Sequence, residues 1–151
     1  MKFKLRPYQE EASKKAVEFF LDKKKNWNAL EVLPTASGKS LILADIAARL
    51  KDKVLVFSPT KEILEQNYKK YCSYGFDNAS IYSASFKSKE ISDVTFATIG
   101  SVKGHPELFT DFKYILIDEV HLVKPESGMY KEFLDKLKSK VIGLTATPFR
   151  L

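Results

Sequence analysis

Short apolar runs alternate with helix-patterned stretches along this chain, and that alternation constrains its fold more than any other feature. The predicted strands are Ala29–Leu33, Val54–Ser58, Ser80–Ser83, Val94–Thr98, Tyr114–Asp118 and Val141–Thr145. The predicted helices run from Pro7 to the Lys23–Lys25 stretch and over Gly38–Leu50, Lys61–Tyr74 and Met129–Leu137. Nearly continuous apolar strands joined by helices are typical of a mostly parallel sheet covered on both faces. We therefore predict an α/β fold that binds ligands at the carboxyl ends of its strands.

The 151 residues have the composition of one globular domain, with 44% hydrophobic and 29% charged residues. A chain of this length builds one core and is short for two, so we expect residues 1–151 to form a single domain. The single cysteine, Cys72, excludes an internal disulfide, and we expect its thiol to be buried and inert. No apolar stretch approaches the roughly 20 residues that span a bilayer, which favours a cytoplasmic protein without a membrane partner.

The formal net charge is +6, and residues 1–30 contribute most of the excess, with eight Lys or Arg and four Asp or Glu. A basic balance suits a polyanionic partner such as DNA or RNA. Many soluble proteins carry similar surface lysines, so the charge alone leaves a plain solvated surface as the alternative.

A turn-like segment with the sequence PTASGKS, residues 34–40, lies between a predicted strand and a predicted buried helix. Gly38 and its small neighbours let backbone N–H groups approach a phosphate without obstruction. Lys39 can reach the β- and γ-phosphates of a nucleotide, and the Ser40 hydroxyl can hold Mg²⁺. A chance GKS in a turn is the alternative. The expected phosphate-binding residues are Pro34, Thr35, Ala36, Ser37, Gly38, Lys39 and Ser40.

A second segment, YILIDEVH at residues 114–121, ends an apolar strand in two acids. Asp118 could hold Mg²⁺ through water, and Glu119 could orient and deprotonate an attacking water molecule. Solvated acids after an ordinary strand are the alternative. The coincidence with Lys39 and Ser40 favours two halves of one Mg-nucleotide site.

Two further segments carry little chemistry by themselves. LTATP, residues 144–148, follows the last predicted strand and indicates a turn. In LRPYQ, residues 5–9, Gln9 could pair with an adenine edge and Arg6 could stack on its ring. Without other context, Gln9 is more typical of an exposed surface.

The order of these segments resembles that of the first RecA-like, ATP-binding domain of superfamily 2 helicases and translocases. LRPYQ, PTASGKS, SPTKEILEQ, TIGSV, DEVH and LTATPFR follow one another as the Q motif and motifs I, Ia, Ib, II and III do in that superfamily. The resemblance covers Leu5–Arg150. Within the superfamily the chain is most similar to RadD-like helicases, near the type I and type III restriction translocases and the XPB-like group.

The resemblance implies ATP and Mg²⁺ as cofactors and gives individual residues a role. Gln9 and Arg6 would recognise adenine, Ser40 and Asp118 would be the metal ligands, and Glu119 would position the attacking water. The expected catalytic residues are Lys39, Asp118, Glu119 and His121. The residues expected to couple hydrolysis to strand movement, through His121, are Thr145 and Thr147.

The same resemblance implies contacts with the phosphate backbone of one nucleic-acid strand, in single-stranded DNA or at a duplex junction, with RNA less favoured. The expected residues are Pro59, Thr60 and Lys61 of motif Ia and Thr98, Ile99, Gly100 and Ser101 of motif Ib. Contacts of this kind are largely independent of sequence and sensitive to salt. A plain solvated lysine is the alternative for Lys61.

Three positions depart from the usual motifs. Leu33 and Ala36 stand where the phosphate loop usually has glycine, and Val120 replaces the commoner Ala or Cys of motif II. Ala36 has less backbone freedom than glycine, which affects the free loop conformation more than nucleotide binding. Val120 should be tolerated as an apolar residue at the end of a strand.

The chain ends at Leu151, just past motif III, and the second RecA-like domain of the superfamily follows that point. That domain supplies an arginine finger, worth about 10³–10⁵ in rate, and a second strand-binding surface. We therefore expect a piece of a longer protein. Alone it would be monomeric, bind Mg-ATP weakly, hydrolyse it very slowly and not unwind DNA.

Other functions are compatible with parts of the same pattern. A restriction-type motor subunit would translocate without separating strands, and a degenerate domain would hold nucleotide as a structural switch. The intact phosphate loop and acid pair argue against degeneracy. A small-molecule kinase would lack the SPTKEILEQ and LTATP segments.

Overall fold

A computed structural model describes residues 4–24, 29–33, 38–118 and 129–146 of the chain. Its helices are α1 (Pro7–Leu21), α2 (Lys39–Leu50), α3 (Lys61–Cys72), α4 (Ile99–Val102) and α5 (Met129–Asp135). Its strands are β1 (Ala29–Leu33), β2 (Val54–Phe57), β3 (Ala79–Ser83), β4 (Ser88–Lys89), β5 (Val94–Ala97), β6 (Tyr114–Ile117) and β7 (Lys140–Ala146). Two 3₁₀ helices cover Ala84–Phe86 and Pro106–Phe109. Within these ranges no helix is long and apolar enough to cross a membrane.

The strands form one sheet in the order β1-β7-β6-β2-β5-β3-β4. All neighbouring pairs in the described sheet are parallel except β3 and the two-residue β4, which run antiparallel. The carboxyl ends of the six parallel strands therefore lie along one edge. The predicted α/β fold with a mostly parallel sheet is confirmed.

Helices cover both faces of the sheet, which explains why central strands such as β2 and β6 are apolar. One core packs α1, α2 and α3 against the sheet, and a second core on the other face includes side chains from α4 and α5. Strand β2 lies in the middle: Val54 and Val56 enter the first core, and Leu55 and Phe57 enter the second. All four are 0% exposed. Full burial of such side chains contributes roughly 1.5–3 kcal/mol each.

The local sequence explains where two of the helices begin. Thr60 precedes α3, and its Oγ1 accepts a hydrogen bond from the N–H of Ile63 at 3.1 Å. A threonine in this position satisfies one of the free N–H groups of the first turn. Pro7 opens α1, where its missing N–H group has no cost.

A polar network joins α1 to α2 and thereby holds the start of α1 beside the phosphate loop. Ser13 Oγ donates to Asp45 Oδ2 at 2.5 Å, and Arg49 Nε donates to the same oxygen at 2.6 Å. Asp45 is 2% exposed, so its charge is paired where water has little access. Arg49 Nη2 also lies 3.7 Å from Glu10 Oε2 of α1, and this ion pair links the two helices a second time.

The far end of α1 is held by a lysine from β7. Lys140 Nζ donates to the carbonyl oxygens of Phe19 at 2.5 Å and Asp22 at 2.8 Å, and it lies 4.5 Å from the centroid of the Phe19 ring. The last carbonyl groups of a helix lack internal donors, so a cation satisfies them there. Helix α1 is therefore anchored along its length and at its end.

The predicted helices and strands are all present, and their ends agree or differ by at most a few residues. Strand β4, helix α4 and the two 3₁₀ helices were not expected, because each is too short to show a periodicity. The expectation of a buried Cys72 is wrong, since this thiol is partly exposed. Cys72 follows the buried Tyr71, and one helical step turns it about 100° away from the buried stripe of α3.

Candidate functional site

Side chains from several segments meet at the carboxyl edge of the sheet, around the amino end of α2. The neighbouring strands β1, β7, β6 and β2 all end there. The N–H of Asp118 donates to the carbonyl oxygen of Phe57 at 2.8 Å, which places this acid directly past β6. The predicted residues Lys39, Ser40 and Asp118 are brought together at this edge.

Gly38 and Gln9 lie in direct contact at the start of α2. Gly38 has a φ of 77°, in the left-handed region that favours glycine. A Cβ atom at this position would lie 2.5 Å from Nε2 of Gln9, so any side chain would force a shift. The glycine therefore allows both the left-handed backbone that precedes α2 and the close approach of the Gln9 amide.

Gln9 is 6% exposed, so the interpretation of this residue as a surface glutamine is wrong. Its Oε1 accepts a hydrogen bond from the backbone N–H of Arg6 at 2.8 Å, while its Nε2 faces Gly38. A buried amide beside the phosphate loop suits recognition of a base edge. The Arg6 side chain is exposed, and its contact with adenine stays a prediction.

A lysine and an aspartate form a buried ion pair at the centre of the site. Lys39 Nζ lies 3.3 Å from Asp118 Oδ1, and the two side chains are 14% and 3% exposed. Among the described residues no donor is aligned to hydrogen-bond this Oδ1, so Lys39 neutralises it as a charge. Such an oxygen can accept a metal ion once the lysine turns to a phosphate group.

Asn67 of α3 connects the two residues that were predicted to bind Mg²⁺. Its Oδ1 accepts a hydrogen bond from Ser40 Oγ at 2.7 Å, and its Nδ2 donates to Asp118 Oδ2 at 2.9 Å. The same Nδ2 also donates to Ser58 Oγ at 3.1 Å. Gln66 Nε2 donates to Ser40 Oγ at 3.1 Å. One hydrogen-bond network therefore joins α2, α3 and the ends of β2 and β6.

These oxygen atoms fit Mg²⁺ that is bound together with a nucleotide. Mg²⁺ prefers oxygen ligands and is usually held by one or two protein groups together with phosphates and waters. Ser40 Oγ and Asp118 Oδ1 are groups of this kind. The part of the chain that the structure describes has no cluster of three or more His, Cys, Asp and Glu that could hold a metal by itself. The fit is therefore to a metal whose coordination is completed by phosphate oxygens.

The predicted coupling residue Thr145 lies near the end of β7 and is 3% exposed. Two residues before Thr145, Gly143 pairs with Ile117 of β6, and Asp118 comes directly after Ile117. Thr145 and Asp118 therefore leave adjacent strands at the same edge of the sheet. The predicted residues that fall outside the described ranges are Pro34, Thr35, Ala36, Ser37, Glu119, His121 and Thr147.

The residues predicted to contact a nucleic-acid strand lie further along the same edge. Pro59 and Thr60 follow β2, where Pro59 is half-buried and the main chain at Thr60 leads into α3. Lys61 is exposed, and its Nζ lies 5.3 Å from the centroid of the Phe86 ring. A cation near an aromatic ring is weakly stabilised, which holds Lys61 beside the segment that follows β3.

Four hydroxyl side chains form a connected cluster where β3 and β5 end. Ser83 Oγ lies 2.8 Å from Ser85 Oγ and 3.1 Å from Thr98 Oγ1, and Thr98 Oγ1 lies 3.0 Å from Ser101 Oγ. Ser101 Oγ also accepts a hydrogen bond from the N–H of Ala84 at 3.0 Å. The sequence predicted Thr98 and Ser101 but not Ser83, the last residue of β3, or Ser85 just after it. Neither serine belongs to a motif.

We call this region, which is predicted to contact a nucleic-acid strand, the strand-binding surface. Its residues are Pro59, Thr60, Lys61, Ser85, Phe86, Thr98, Gly100 and Ser101. Gly100 is exposed, and a Cβ atom added there would meet nothing within 4 Å, so the surface is open at this point. Hydroxyl groups and lysine side chains are typical contacts for phosphate oxygens.

Sequence reasoning also missed Asn67 as a site residue, because helical spacing assigns it to the apolar face of α3 with Leu64 and Tyr71. The structure confirms that this face is buried, with Asn67 itself 1% exposed. A buried amide must find hydrogen-bond partners. The asparagine among apolar residues was therefore the signal, although the sequence does not reveal which polar groups it meets.

Known proteins match the chain over nearly its whole length. The family described as "Type III restriction enzyme, res subunit" matches residues 2–150. The DNA 3'-5' translocase XPB2 of Sulfurisphaera tokodaii is 31% identical over 99% of this chain and 32% of its own length. The ATP-dependent DNA helicase Hel308 of Methanocaldococcus jannaschii is 30% identical over 95% of this chain and 14% of its own length. The chain thus spans a third or less of these curated relatives.

Solved helicase structures share the fold. The UvsW helicase from bacteriophage T4 superposes with a TM-score of 0.74 at 24% identity, covering 95% of this chain and 52% of that one. The SWI2/SNF2 ATPase core of Sulfolobus solfataricus, solved in complex with dsDNA, gives a TM-score of 0.72 at 24% identity and covers 98% of this chain and 33% of that one. The Hef helicase domain of Pyrococcus furiosus gives a TM-score of 0.68 at 25% identity and covers 97% of this chain and 34% of that one.

The order of the motifs, the parallel sheet and these matches agree. They confirm the superfamily that the sequence indicated, while the finer similarity to RadD-like helicases stays a prediction. The chain belongs to the family of the type III restriction enzyme res subunit and is a first RecA-like domain of the superfamily 2 helicases and translocases.

Proposed function

We propose that this chain is the ATP-binding motor domain of a DNA helicase or translocase, and that it binds Mg-ATP and one DNA strand. The observation that carries the proposal is the meeting of Lys39, Ser40 and Asp118 around one buried amide. A Mg-nucleotide site needs the cation, the hydroxyl and the carboxylate that these residues supply. The names of the two curated relatives, a DNA translocase and an ATP-dependent DNA helicase, support ATP and DNA as ligands.

Nucleotide binding would begin with an exchange of partners at Lys39. Its ammonium group would leave Asp118 and reach the β- and γ-phosphates, as the loop position suggests. Helix α2 has 12 residues, and its amino end offers backbone N–H groups and a favourable dipole to the phosphates. Gln9 lies beside Gly38 at the same end of the helix, where it would read the adenine edge.

Ser40 and Asp118 would hold Mg²⁺, which when bound neutralises charge on the transferred phosphoryl group. Glu119 would orient the attacking water molecule and accept its proton. His121 would transmit the state of the nucleotide site to Thr145 and Thr147. The order of the family motifs supports these last roles, because DEVH and LTATP stand where motifs II and III stand in the superfamily.

One DNA strand would lie along the strand-binding surface. Lys61 supplies a positive charge there, and Ser85, Thr98 and Ser101 supply hydroxyl groups for phosphate oxygens. Contacts of this kind read the backbone and not the bases, so binding would be independent of sequence and would weaken with salt. The names of the two curated relatives, which both include DNA, support DNA over RNA.

Efficient hydrolysis would need a second motor domain. The chain has three arginines, Arg6, Arg49 and Arg150, and Arg49 is engaged by Asp45. From their positions in the sequence, none is expected to act as an arginine finger, since Arg6 precedes α1 and Arg150 follows motif III. A finger is worth about 10³–10⁵ in rate. The isolated chain would therefore bind Mg-ATP weakly and hydrolyse it very slowly.

A steady-state ATPase assay on the isolated chain, with and without single-stranded DNA, tests this proposal. The expected result is slow turnover that DNA raises little and that Glu119→Gln abolishes. Brisk turnover stimulated by DNA would contradict the need for a second domain. Turnover that is unchanged in Glu119→Gln would come from a contaminating enzyme.

A restriction-type translocase that moves without separating strands is a second candidate, favoured by the family match over residues 2–150. The two candidates differ in what a longer protein containing this chain would do to DNA. Displacement of a third strand from a triplex, without unwinding of a duplex, would indicate translocation alone. Separation of a forked duplex would indicate a helicase.

A further inference from the structure

We propose that Asn67 is a positioning residue that orients both protein ligands of the magnesium site. The inference rests on the proposed Mg-nucleotide function and adds a residue of α3 to it. No motif discussed above assigns a role to Asn67. Its position, its burial and its three hydrogen bonds carry the argument.

The oxygen and both hydrogens of the Asn67 amide are engaged by groups of the site. The side chain is 1% exposed, so water does not compete for it. Oδ1 accepts from Ser40 Oγ at 2.7 Å, and Nδ2 donates to Asp118 Oδ2 at 2.9 Å and to Ser58 Oγ at 3.1 Å. An amide nitrogen has two hydrogens to donate, and both are used.

The carboxylate of Asp118 fixes which way the amide points. In the reversed orientation, the carbonyl oxygen of Asn67 would face Asp118 Oδ2, and two acceptors would meet at 2.9 Å. A carboxylate accepts hydrogen bonds and does not donate them when it is ionised. The orientation with Nδ2 on Asp118 and Oδ1 on Ser40 is therefore the stable one.

This orientation prepares the Ser40 hydroxyl as a ligand. A serine hydroxyl has one hydrogen and two lone pairs. The carbonyl of Asn67 can only accept, so it takes the hydrogen and leaves the lone pairs of Ser40 Oγ for other partners. Gln66 Nε2 occupies one of them at 3.1 Å in this structure, and a metal ion could use the other or replace it.

The same amide prepares Asp118. It engages Oδ2, and within the described residues no hydrogen bond reaches Oδ1, which faces Lys39 Nζ at 3.3 Å. The plane of the carboxylate is held by Asn67 and by the pairing of its own backbone with β2. Oδ1 is thus presented on the side of Lys39, where phosphate and metal would bind.

The test compares nucleotide affinity with and without metal. A fluorescent, non-hydrolysable ATP analogue is titrated into the 151-residue wild-type chain and into Asn67→Ala, first in excess EDTA and then over a series of Mg²⁺ concentrations. We expect the Mg²⁺ concentration at half-saturation to rise about 10–100-fold in Asn67→Ala, the usual effect of removing such a partner. Affinity in EDTA, where Lys39 and the loop act alone, should stay unchanged.

Two further variants keep the test decisive. Asn78→Ala removes another hydrogen-bonded asparagine, whose Oδ1 accepts a hydrogen bond from Tyr71 OH at 2.7 Å at the other end of α3. This control variant should leave the Mg²⁺ dependence of nucleotide binding unchanged. If Asn67→Ala does not fold, Asn67→Ser keeps a small polar side chain and should show the same loss. Thermal melts without nucleotide check that each variant is folded.

The outcomes separate the two claims. Wild-type chain that binds the analogue equally with and without Mg²⁺ would contradict the proposed function itself. If nucleotide binding depends on Mg²⁺ to the same degree in wild type and in Asn67→Ala, the role of Asn67 is overturned and the proposed function stands. Equal losses in EDTA and in Mg²⁺ would show that Asn67 only supports the structure, which would also overturn the inference.

Discussion

Single residues at the amino end of α2 have chemical roles that few substitutions can keep. Gly38 combines a left-handed backbone with a contact to Gln9 that leaves no space for a side chain. Lys39 and Asp118 neutralise each other where neither is well exposed, so replacing Lys39 leaves the buried carboxylate of Asp118 without this counter-charge. The amide of Asn67 accepts one hydrogen bond and donates two. An ionised acid has no hydrogen to donate and a hydroxyl has only one, so neither can replace it.

The substitution Gly38→Ala should destabilise the chain and weaken nucleotide binding. A left-handed backbone costs an alanine about 1–2 kcal/mol, and its Cβ atom would displace the Gln9 amide. Urea denaturation measures the first effect, and titration of a fluorescent ATP analogue measures the second. Gly104→Ala is the matched control, because a Cβ atom there meets nothing within 4 Å. Equal stability of the two variants would contradict the prediction.

Among the elements, β1 lies at the edge of the described sheet and carries a partly buried acid. Burial raises the pKa of the Glu31 carboxyl to about 7, and the positive charge of Lys15 opposes this rise. Within the described residues no hydrogen bond reaches Glu31 Oε1. The folded chain therefore favours the protonated form of Glu31, whereas the unfolded chain ionises near the ordinary value of 4.5.

This difference predicts how stability changes with pH. Between pH 4.5 and about 7, the folded chain keeps the Glu31 proton while the unfolded chain loses it. The contribution of Glu31 to the free energy of unfolding is therefore fully present at low pH and is lost as the pH rises through this window. Glu31→Gln removes this loss, and its free energy of unfolding should exceed that of wild type at pH 7 and above. Urea denaturation at several pH values measures it. Glu18→Gln, an exposed change on α1, is the control. Parallel profiles for wild type and Glu31→Gln would contradict the account.

The strand-binding surface predicts a salt effect for one lysine. Lys61→Ala should weaken binding of single-stranded DNA and lower the slope of log affinity against log salt by about 1. Fluorescence anisotropy with a labelled oligonucleotide at several salt concentrations measures the slope. Lys131→Ala, an exposed change on α5, should leave it unchanged. The same slope in wild type and Lys61→Ala would show that Lys61 does not contact phosphate.

The sequence predicted elements better than contacts, for a physical reason. Strands such as β2 and β6 are buried on both faces, so their apolar runs identify them directly. The 3₁₀ helix Ala84–Phe86 and strand β4 are stabilised by neighbours in space, and no local pattern indicates them. Lys39, Ser40 and Asp118 were predicted because their motifs are contiguous. Asn67 and Ser83 were missed because tertiary packing alone brings them to the site.

For the whole molecule, the proposed nucleotide site and the strand-binding surface lie along one edge of the described sheet. The nucleotide side lies around α2 and β6, and the surface that would meet DNA lies around the ends of β2, β3 and β5. Helix α3 touches both, through Asn67 at the metal ligands and through Lys61 at its first turn. A change at the nucleotide site therefore has a short path to the strand-binding surface, as expected for a motor domain.

Equilibrium binding of a non-hydrolysable ATP analogue to the isolated chain, in Mg²⁺, tests the central claim most directly. Wild type should bind the analogue saturably, and Lys39→Ala should lose that binding because the phosphates lose their cation. Lys24→Ala, an exposed change beyond α1, should bind as wild type does. Absence of saturable binding in wild type, or equal binding in Lys39→Ala, would contradict the assignment of this site to Mg-ATP.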